Sequence, residues 1–381
     1  MRILALGGCG AQGTFATKDL VESKDVSKVI IGDVNVEKAR RVAADIGSPK
    51  LSTIKIDVND HRKLVKVMRD VDVVANFVGP YYEHGVKVVK AAIEAGKNYV
   101  DVCDDYDATQ KMIALNNLAR DKGITILLGL GVSPGIANLI AKYGADKLDQ
   151  VEEIKIAWII GAGEPEGPAV LYHTFHGVTG SVPQFLDGKL VEVAPVSGKE
   201  IVEFPEPVGK AEVFYFGHPE PLTIPQTIKG VKVVTNKGGV LPSELNQLLL
   251  ALAEVGLTGL TPITVKGREI TPRDFLVAYM ASFTPEELPS EGPPPSAMKI
   301  EVKGKKEGMD TKYIYSAVGR MGEATGIPAS IGAQMLGRGD IKIKGVVAPE
   351  ACIDPELLMA EMLKRGYTMT ETEIITRSLR A

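Results

Sequence analysis

The sequence predicts an α/β protein: an N-terminal doubly wound parallel sheet followed by a second, α+β domain that carries a mixed sheet. Three observations predict it. Short apolar strands alternate with helices over residues 1–130, the pattern of parallel β-α-β units with right-handed crossovers. A glycine-rich turn, Gly7-Gly8-Cys9-Gly10-Ala11-Gln12-Gly13, opens the alternation between a strand and a helix. Beyond Ala141 the alternation becomes irregular, as a change of domain requires.

The first strand runs from Ile3 to Leu6 and the first helix from about Thr14 to Val21. The second strand, 28–31, ends at Gly32-Asp33. Gly8, Gly10 and Gly13 fill the pattern G-x-G-x-x-G: a tight turn, a close approach of backbone to a pyrophosphate, and close packing of helix on sheet. Gly8, Gly10, Ala11, Gln12 and Gly13 are therefore read as a diphosphate site at a helix N-terminus, the alternative being a turn that merely joins strand to helix. Asp33, twenty residues past Gly13, is placed to take the ribose hydroxyls of an adenosine. A carboxylate there repels a 2′-phosphate and favours NAD, while Arg40 and Arg41 leave NADP open. Cys9 reads as a small side chain that fits the loop.

The alternation continues with a helix over 36–46, whose Ala39, Val42, Ala43 and Ile46 share a face. A strand over 52–58 ends at Asp57-Val58, where an adenine would sit. A helix over 61–68, a strand over 71–77 and a helix over 85–95 closed by Gly96 follow. A strand over 98–102, a helix over 108–121 ended by Gly123 and a strand over 124–128 complete the first domain. In the second, strands are expected at 153–159, 211–216 and 231–235, and a helix at 242–253. A proline-rich connection (285–295) precedes an antiparallel hairpin whose strands are 299–303 and 312–317. A helix over 326–337 follows. The boundaries drawn are 1–130, 131–321 and 322–381. No internal repeat is visible.

Composition narrows the function classes. With 45% hydrophobic and 24% charged residues over 381, the chain reads as an ordinary soluble protein of two or three domains. A net charge of −4 without a basic run argues against nucleic acid and acidic membrane surfaces as partners. The first strand starts at Arg2, so no signal or transit peptide is expected. The most apolar run, 124–141, is broken by Ser133-Pro134-Gly135 and reads as strand, loop and helix rather than a membrane span. Three scattered cysteines (Cys9, Cys103, Cys352) make no disulfide framework and point to a reducing cytoplasm.

The stretches 76–82 (NFVGPYY), 99–105 (YVDVCDD), 129–135 (GLGVSPG), 325–329 (TGIPA) and 345–350 (GVVAPE) resemble the saccharopine dehydrogenase family, in order and over nearly the whole chain. The resemblance implies a Rossmann domain, the inserted α+β domain, a homodimer, and hydride transfer to or from the carbon of an amine or imine. The substrate would be a small amino-acid-like molecule.

Ligands of such sheets lie beyond the carboxyl ends of the strands, which selects loops 7–13, 78–83, 103–106 and 131–135. Val78, Gly79 and Pro80 would pass the nicotinamide ribose, leaving Tyr81 or Tyr82 facing the cleft. Asp104 and Asp105 put two carboxylates at a strand end, where like charges raise one another's pKa; the bland alternative is that one caps the next helix. In the second domain Tyr172, His173 and His176 fall within five residues, and a helix would put both histidines on one face. Asp104, Asp105, His173, His176 and Tyr82 are the catalytic candidates; Tyr81, Tyr172 and Lys237 are the substrate contacts. A histidine pair lacks the third ligand of a catalytic zinc site, so no metal is expected. His61, His84 and His218 receive no role. No arginine occurs between Arg120 and Arg268, so the substrate is expected to carry fewer carboxylates than saccharopine. The alternatives to amine/imine hydride transfer on an amino-acid-derived substrate are a lysine 6-dehydrogenase-like deamination and a dinucleotide-binding sensor without turnover.

Overall fold

The computed structural model describes residues 1–162, 167–282 and 295–377. The expected proline-rich connection falls outside these residues except for Pro295. The chain divides into two compact units: Met1–Lys142 with Met321–Thr368, and Tyr143–Arg320 with residues 369 onward. The expected boundaries differ at both seams. Residues 131–142 belong to the first unit, and the last strand belongs to the second, because it pairs with a strand of that unit's sheet.

The elements are β1 (Arg2–Leu6), α1 (Ala11–Glu22), β2 (Lys28–Asp33), α2 (Val36–Ile46), β3 (Leu51–Lys55) and α3 (His61–Arg69). They continue with β4 (Val73–Asn76), α4 (Tyr81–Ala95), β5 (Asn98–Asp101), α5 (Tyr106–Ile113), α6 (Asn116–Asp121), β6 (Thr125–Leu127) and α7 (Ile136–Ala145). Next come β7 (Gln150–Gly161), α8 (Pro168–Gly177), β8 (Val182–Leu186), β9 (Lys189–Val193), β10 (Glu200–Glu203), β11 (Lys210–Tyr215), α9 (Glu220–Thr227) and β12 (Val233–Leu241). Then follow α10 (Glu244–Glu254), β13 (Ile263–Val265), β14 (Arg268–Ile270), α11 (Pro272–Met280), β15 (Ser296–Lys306) and β16 (Met309–Gly319). The chain closes with α12 (Met321–Arg338), β17 (Gly345–Val347), α13 (Pro349–Cys352), α14 (Pro355–Lys364) and β18 (Thr370–Thr376).

The first unit is built on a seven-stranded parallel sheet in the order β17-β6-β5-β4-β1-β2-β3. Its middle strands are apolar on both faces because helices cover both; β1 buries Ile3, Leu4, Ala5 and Leu6 completely. One face packs against α3 and α4, the other against α1 and α12. The return helix α12 approaches α1 so closely that a Cβ on Gly326 would lie 2.3 Å from the Gln12 carbonyl oxygen. Asp19 on α1 then accepts from Ser330 and Gln334 of α12 and from Arg365, which ties the return segment down.

Three local expectations shift. The β3 strand stops at Lys55, because the Asp57 carboxylate accepts the Asn59 N–H and turns the chain. Helix α4 starts at Tyr81, four residues early, because the Asp105 carboxylate accepts the Tyr82 N–H at 2.9 Å and supplies a cap from another loop. The single helix expected over 108–121 is two, with the break at Ala114-Leu115. Gly96 closes α4 with φ +68°, the left-handed C-cap conformation expected of it.

The second unit carries a mixed sheet of nine strands among the described residues, with the path β10-β11-β12-β7-β15-β16-β18 and with β8 and β9 attached through β12. The β12–β7 pair is parallel and its other pairs are antiparallel. The β15–β16 hairpin is longer than expected, eleven residues a side, and turns on Glu307 (φ 50°) and Gly308 (φ 74°), the two positive values a tight two-residue turn needs. The strands at 150–161, 210–215 and 233–241 and helix α10 sit where the sequence put them, within a few residues. No helix among the described residues is long and apolar enough to cross a membrane.

Candidate functional site

The glycine loop leaves β1 through Gly7, whose φ of +67° makes the turn; the sequence pattern had assigned that task to Gly8. A Cβ on Gly8 would meet Ala5 Cβ at 2.8 Å and Thr17 Oγ1 at 2.9 Å, so Gly8 is the residue that lets helix and strand approach. At Gly13 a Cβ would lie 2.3 Å from the Gly7 carbonyl oxygen, which makes glycine obligatory. Gly10 differs: its Cβ would touch only the Gly7 oxygen, at 3.1 Å, and the position is otherwise open. Helix α1 begins here with no side-chain cap and no acidic residue in its first turn. Its leading N–H groups, at Ala11, Gln12 and Gly13, thus form an uncapped positive helix end of the kind that holds a diphosphate.

Asp33 closes β2 as a fixed carboxylate. Its Oδ1 accepts the Asn35 N–H at 2.8 Å and its Oδ2 accepts the Cys9 thiol at 3.1 Å. Burial, then the bond to Asp33, pushes the Cys9 thiol up to about 12, so Cys9 stays a donor and has a positioning part that its small size did not announce. The remaining lone pairs of Asp33 suit a ribose diol. The donor set, the open Gly10 and the fixed carboxylate fit a dinucleotide.

At the carboxyl ends of β4, β5 and β6 a buried network fixes the other loops. Asp101, fully buried, accepts the N–H groups of Cys103 (3.1 Å) and Gly129 (2.7 Å) at Oδ1 and the Tyr99 hydroxyl (2.8 Å) at Oδ2. Desolvation outweighs those bonds and raises its carboxyl to about 6. Asn76 donates to the Tyr99 hydroxyl at 3.0 Å and accepts the Val78 N–H at 3.2 Å, which positions Val78, Gly79 and Pro80. Asp101, Asn76 and Tyr99 lay in the stretches that carried the family resemblance but were given no role, since an interior acid in a short strand looks like any other strand end. Tyr81 is corrected here. It was expected at the cleft or as its alternative to Tyr82, but its ring packs in the core and its hydroxyl donates to the Asn76 carbonyl at 2.8 Å. Tyr82 is half-buried and Asp104 partly exposed, whereas Asp105 is fully buried and caps α4 rather than its own helix α5. Burial pushes the Cys103 thiol well up, so it stays protonated. Asp57, lowered by its bond from the Asn59 N–H, and buried Val58 stand after β3.

The second unit holds its own polar cluster. His173 and His176 share helix α8 as expected but face different partners. His173 Nε2 lies 3.1 Å from His218 Nε2, and His218 Nδ1 lies 3.3 Å from a carboxylate oxygen of Glu220. All three are buried, Glu220 completely. The rings of Trp158 and Phe216 pack against His218 at 5.3 and 5.7 Å between centroids. Trp158 donates its indole N–H to Asn236 at 2.8 Å, and Asn236 is held in turn by Gln184. Two glycines make room for the aromatics: a Cβ on Gly238 would stand 2.2 Å from the Trp158 ring and one on Gly177 2.0 Å from Phe216. His218, given no role from the sequence, is therefore the partner of His173.

His176 Nδ1 instead receives Arg273 Nη1 at 3.3 Å, and Arg273, 1% exposed, also donates to the Thr258 carbonyl. Tyr172 bonds Asp274 at 2.9 Å, joining α8 to α11. Lys237, the expected substrate contact, has its ammonium 2.7 Å from Glu200 on β10 and over the Tyr215 ring. His61 pairs with Glu94, and His84 is half-buried with its pKa lowered by burial.

Residues 3–127 match the saccharopine dehydrogenase NADP binding domain and residues 131–367 match the saccharopine dehydrogenase C-terminal domain. The chain is similar to carboxyaminopropylagmatine dehydrogenase of Synechocystis sp., 24% identical over 96% of each chain. It is also similar to carboxynorspermidine synthase of Vibrio cholerae, 23% identical over 98% of each. Among solved structures, saccharopine dehydrogenase (L-Glu forming) of Saccharomyces cerevisiae shares its fold, with a TM-score of 0.71 at 19% identity over 98% of this chain and 99% of that one. The protein belongs to the saccharopine dehydrogenase family, as an NAD(P)-dependent oxidoreductase.

Proposed function

We propose that this enzyme oxidises, and in reverse forms, the C–N bond of a secondary amine joining an amine chain to a small carboxylate-bearing group. The observation that carries this reading is the cation inventory of the second unit. Lys237 is tied to Glu200 and Arg273 is bonded inward, while Arg268, Arg320 and Arg377, the other described arginines there, are exposed. A substrate with three carboxylates calls for planar bidentate clamps, and arginine is the usual one. The relatives named for carboxyaminopropylagmatine and carboxynorspermidine support the same class.

Gly10, Ala11, Gln12 and Gly13 would hold the diphosphate, Asp33 the adenosine ribose, Asp57 and Val58 the adenine, and Val78, Gly79 and Pro80 the nicotinamide ribose. Asp33 favours NAD. When bound, the nicotinamide supplies the hydride acceptor or donor. The chain's own task is to hold the amine carbon in register, keep water out and take the proton that leaves nitrogen as C=N forms. Water then splits the imine to a carbonyl and a free amine. We assign the proton to His173 and substrate contact to Tyr172 in the second unit, and substrate contact to Asp104 and Tyr82 in the first. We further propose a cytoplasmic homodimer, whose interface would use the exposed Leu248, Val255, Ile263, Phe275 and Tyr279 of the second unit.

The test follows absorbance at 340 nm with NAD and NADP against carboxynorspermidine, lysine and saccharopine. Turnover on the first with NAD, abolished in His173→Phe, is expected. A micromolar KM for saccharopine would overturn the substrate class.

A further inference from the structure

The Asp33 carboxylate is held from two sides. The Asn35 N–H donates to Oδ1 at 2.8 Å and the Cys9 thiol donates to Oδ2 at 3.1 Å. The first donor is backbone, part of the turn that opens α2, and any residue but proline would supply it. The second is a side chain carried by the glycine loop, twenty-four residues away in sequence. Cys9 is buried with Ile31 of β2 and Ala39 of α2, and Val42, Ala43 and Leu51 pack around them. Filling that space needs only a small apolar side chain. A thiol adds a donor, and the donor meets the acid that ends β2.

We propose that Cys9 is a positioning residue for cofactor choice: its thiol locks the Asp33 carboxylate in place, and this lock, rather than the carboxylate alone, makes the adenosine end reject a 2′-phosphate. An acid at a strand end deters a phosphate only while it stays put. An unheld aspartate can swing its charge away from an incoming anion, or toward a neighbouring cation. Such cations follow directly on α2, at Lys38, Arg40 and Arg41, and the charge of Lys38 is felt at Cys9 itself. With both oxygens engaged, rotation of Asp33 would break two hydrogen bonds to a charged acceptor, the stronger kind. The thiol suits the task because burial, then the bond to Asp33, keeps it protonated, so it does not become a second anion in the loop. Each carboxylate oxygen keeps a lone pair for a ribose hydroxyl. Cys9, Asp33, Asn35 and Lys38 all belong to the first unit.

The lock rests on the part given to Asp33 at the ribose above, and the experiment keeps the two apart. The full-length protein is titrated with NADH and with NADPH by fluorescence, and the ratio of the two dissociation constants is compared among wild type, Cys9→Ala, Cys9→Ser and Asp33→Asn. Cys9→Ala should move the ratio toward NADPH by about threefold to tenfold, the worth of one hydrogen bond. Cys9→Ser, which keeps a donor, should return it to within about twofold of wild type. A packing defect weakens both nucleotides alike and leaves the ratio unmoved; that result, or a Cys9→Ser protein as relaxed as Cys9→Ala, overturns the proposal. If Asp33→Asn shifts the ratio and Cys9→Ala does not, the lock falls and the part of Asp33 stands. If Asp33→Asn shifts nothing, the part of Asp33 falls and the lock with it. A readout free of nucleotide is the infrared S–H stretch. The difference between wild type and Cys9→Ser isolates the Cys9 thiol from those of Cys103 and Cys352. Its band should lie below that of an unbonded thiol and rise in Asp33→Ala. A band indifferent to Asp33 overturns the proposal at its first contact.

Discussion

Asp101 in the first unit and Glu220 in the second are both buried completely, and their surroundings differ. Asp101 in the first unit is surrounded by donors that never change: two backbone N–H groups and a tyrosine hydroxyl. Glu220 in the second unit faces the His218 imidazole. The first arrangement freezes three loops at the carboxyl edge of a sheet. The second sets an acid against an aromatic ring. A buried acid is therefore not by itself a catalytic sign.

The largest expected effect tests the scaffold where it is tightest. Gly13→Ala places a methyl 2.3 Å from the Gly7 carbonyl and should cost more than about 3 kcal/mol, abolishing NADH binding together with the thermal transition of the first unit. Gly10→Ala should separate those two outcomes. Its methyl meets one oxygen at 3.1 Å, so denaturant midpoints should move little while NADH affinity drops at least about tenfold, read by fluorescence titration.

Asp101 offers the next effect, through pH. Its folded pKa of about 6 lies above the ordinary aspartate value of 3.8, so the folded state binds the proton more tightly. The stability this contributes is fully present below about pH 4 and is lost as pH rises through 6, a swing of about 3 kcal/mol. Asp101→Asn cannot titrate. Urea midpoints of the two proteins between pH 4 and 7.5 should therefore diverge at the acid end, with the wild-type protein gaining on the variant as pH falls. Parallel curves would mean the carboxyl is ionised throughout.

Asp33→Asn should shift the NAD-to-NADP preference by about tenfold, roughly 1.4 kcal/mol, in the ratio of kcat/KM values. No shift would mean that the ribose end is read elsewhere, with Arg40 and Arg41 the next residues to change. The smallest effect is expected at Lys237→Met. The Glu200 tie is partly exposed, so stability should change by less than about 1 kcal/mol and substrate KM should stay within twofold. A large rise in KM would return Lys237 to the substrate.

Sequence legibility followed the range of the contacts. The cradle was readable because Gly8, Gly10, Gly13 and Asp33 act within one β-α-β unit, where spacing alone encodes geometry. Even there, Gly7 and Cys9 were undervalued: one carries the positive φ, and the other bonds the carboxylate it was not expected to touch. The doubly wound sheet was readable from its period, but its seventh strand arrives from residue 345 and the second sheet's edge strand from residue 370. Asp105 was read as a possible helix cap, and it is one, though for α4 rather than for the helix it precedes. His218 was passed over because a lone histidine says nothing until the chain folds it against His173, forty-five residues earlier. Tyr81 misled for a related reason: a polar tip near a strand end looks available until its partner on another element is known.

The return of the chain through α12 and β17, and its final departure into β18, has a consequence for biosynthesis. Neither unit is a continuous stretch of polypeptide. A ribosome that has made residues 1–142 has exposed the face of α1 that Gly326, Ser330 and Gln334 will cover, nearly two hundred residues before they emerge. The second unit completes its edge only with the last strand. Nascent chains of intermediate length therefore carry two unfinished sheets at once, and a gene fragment ending at either seam would encode an apolar surface with nothing to cover it.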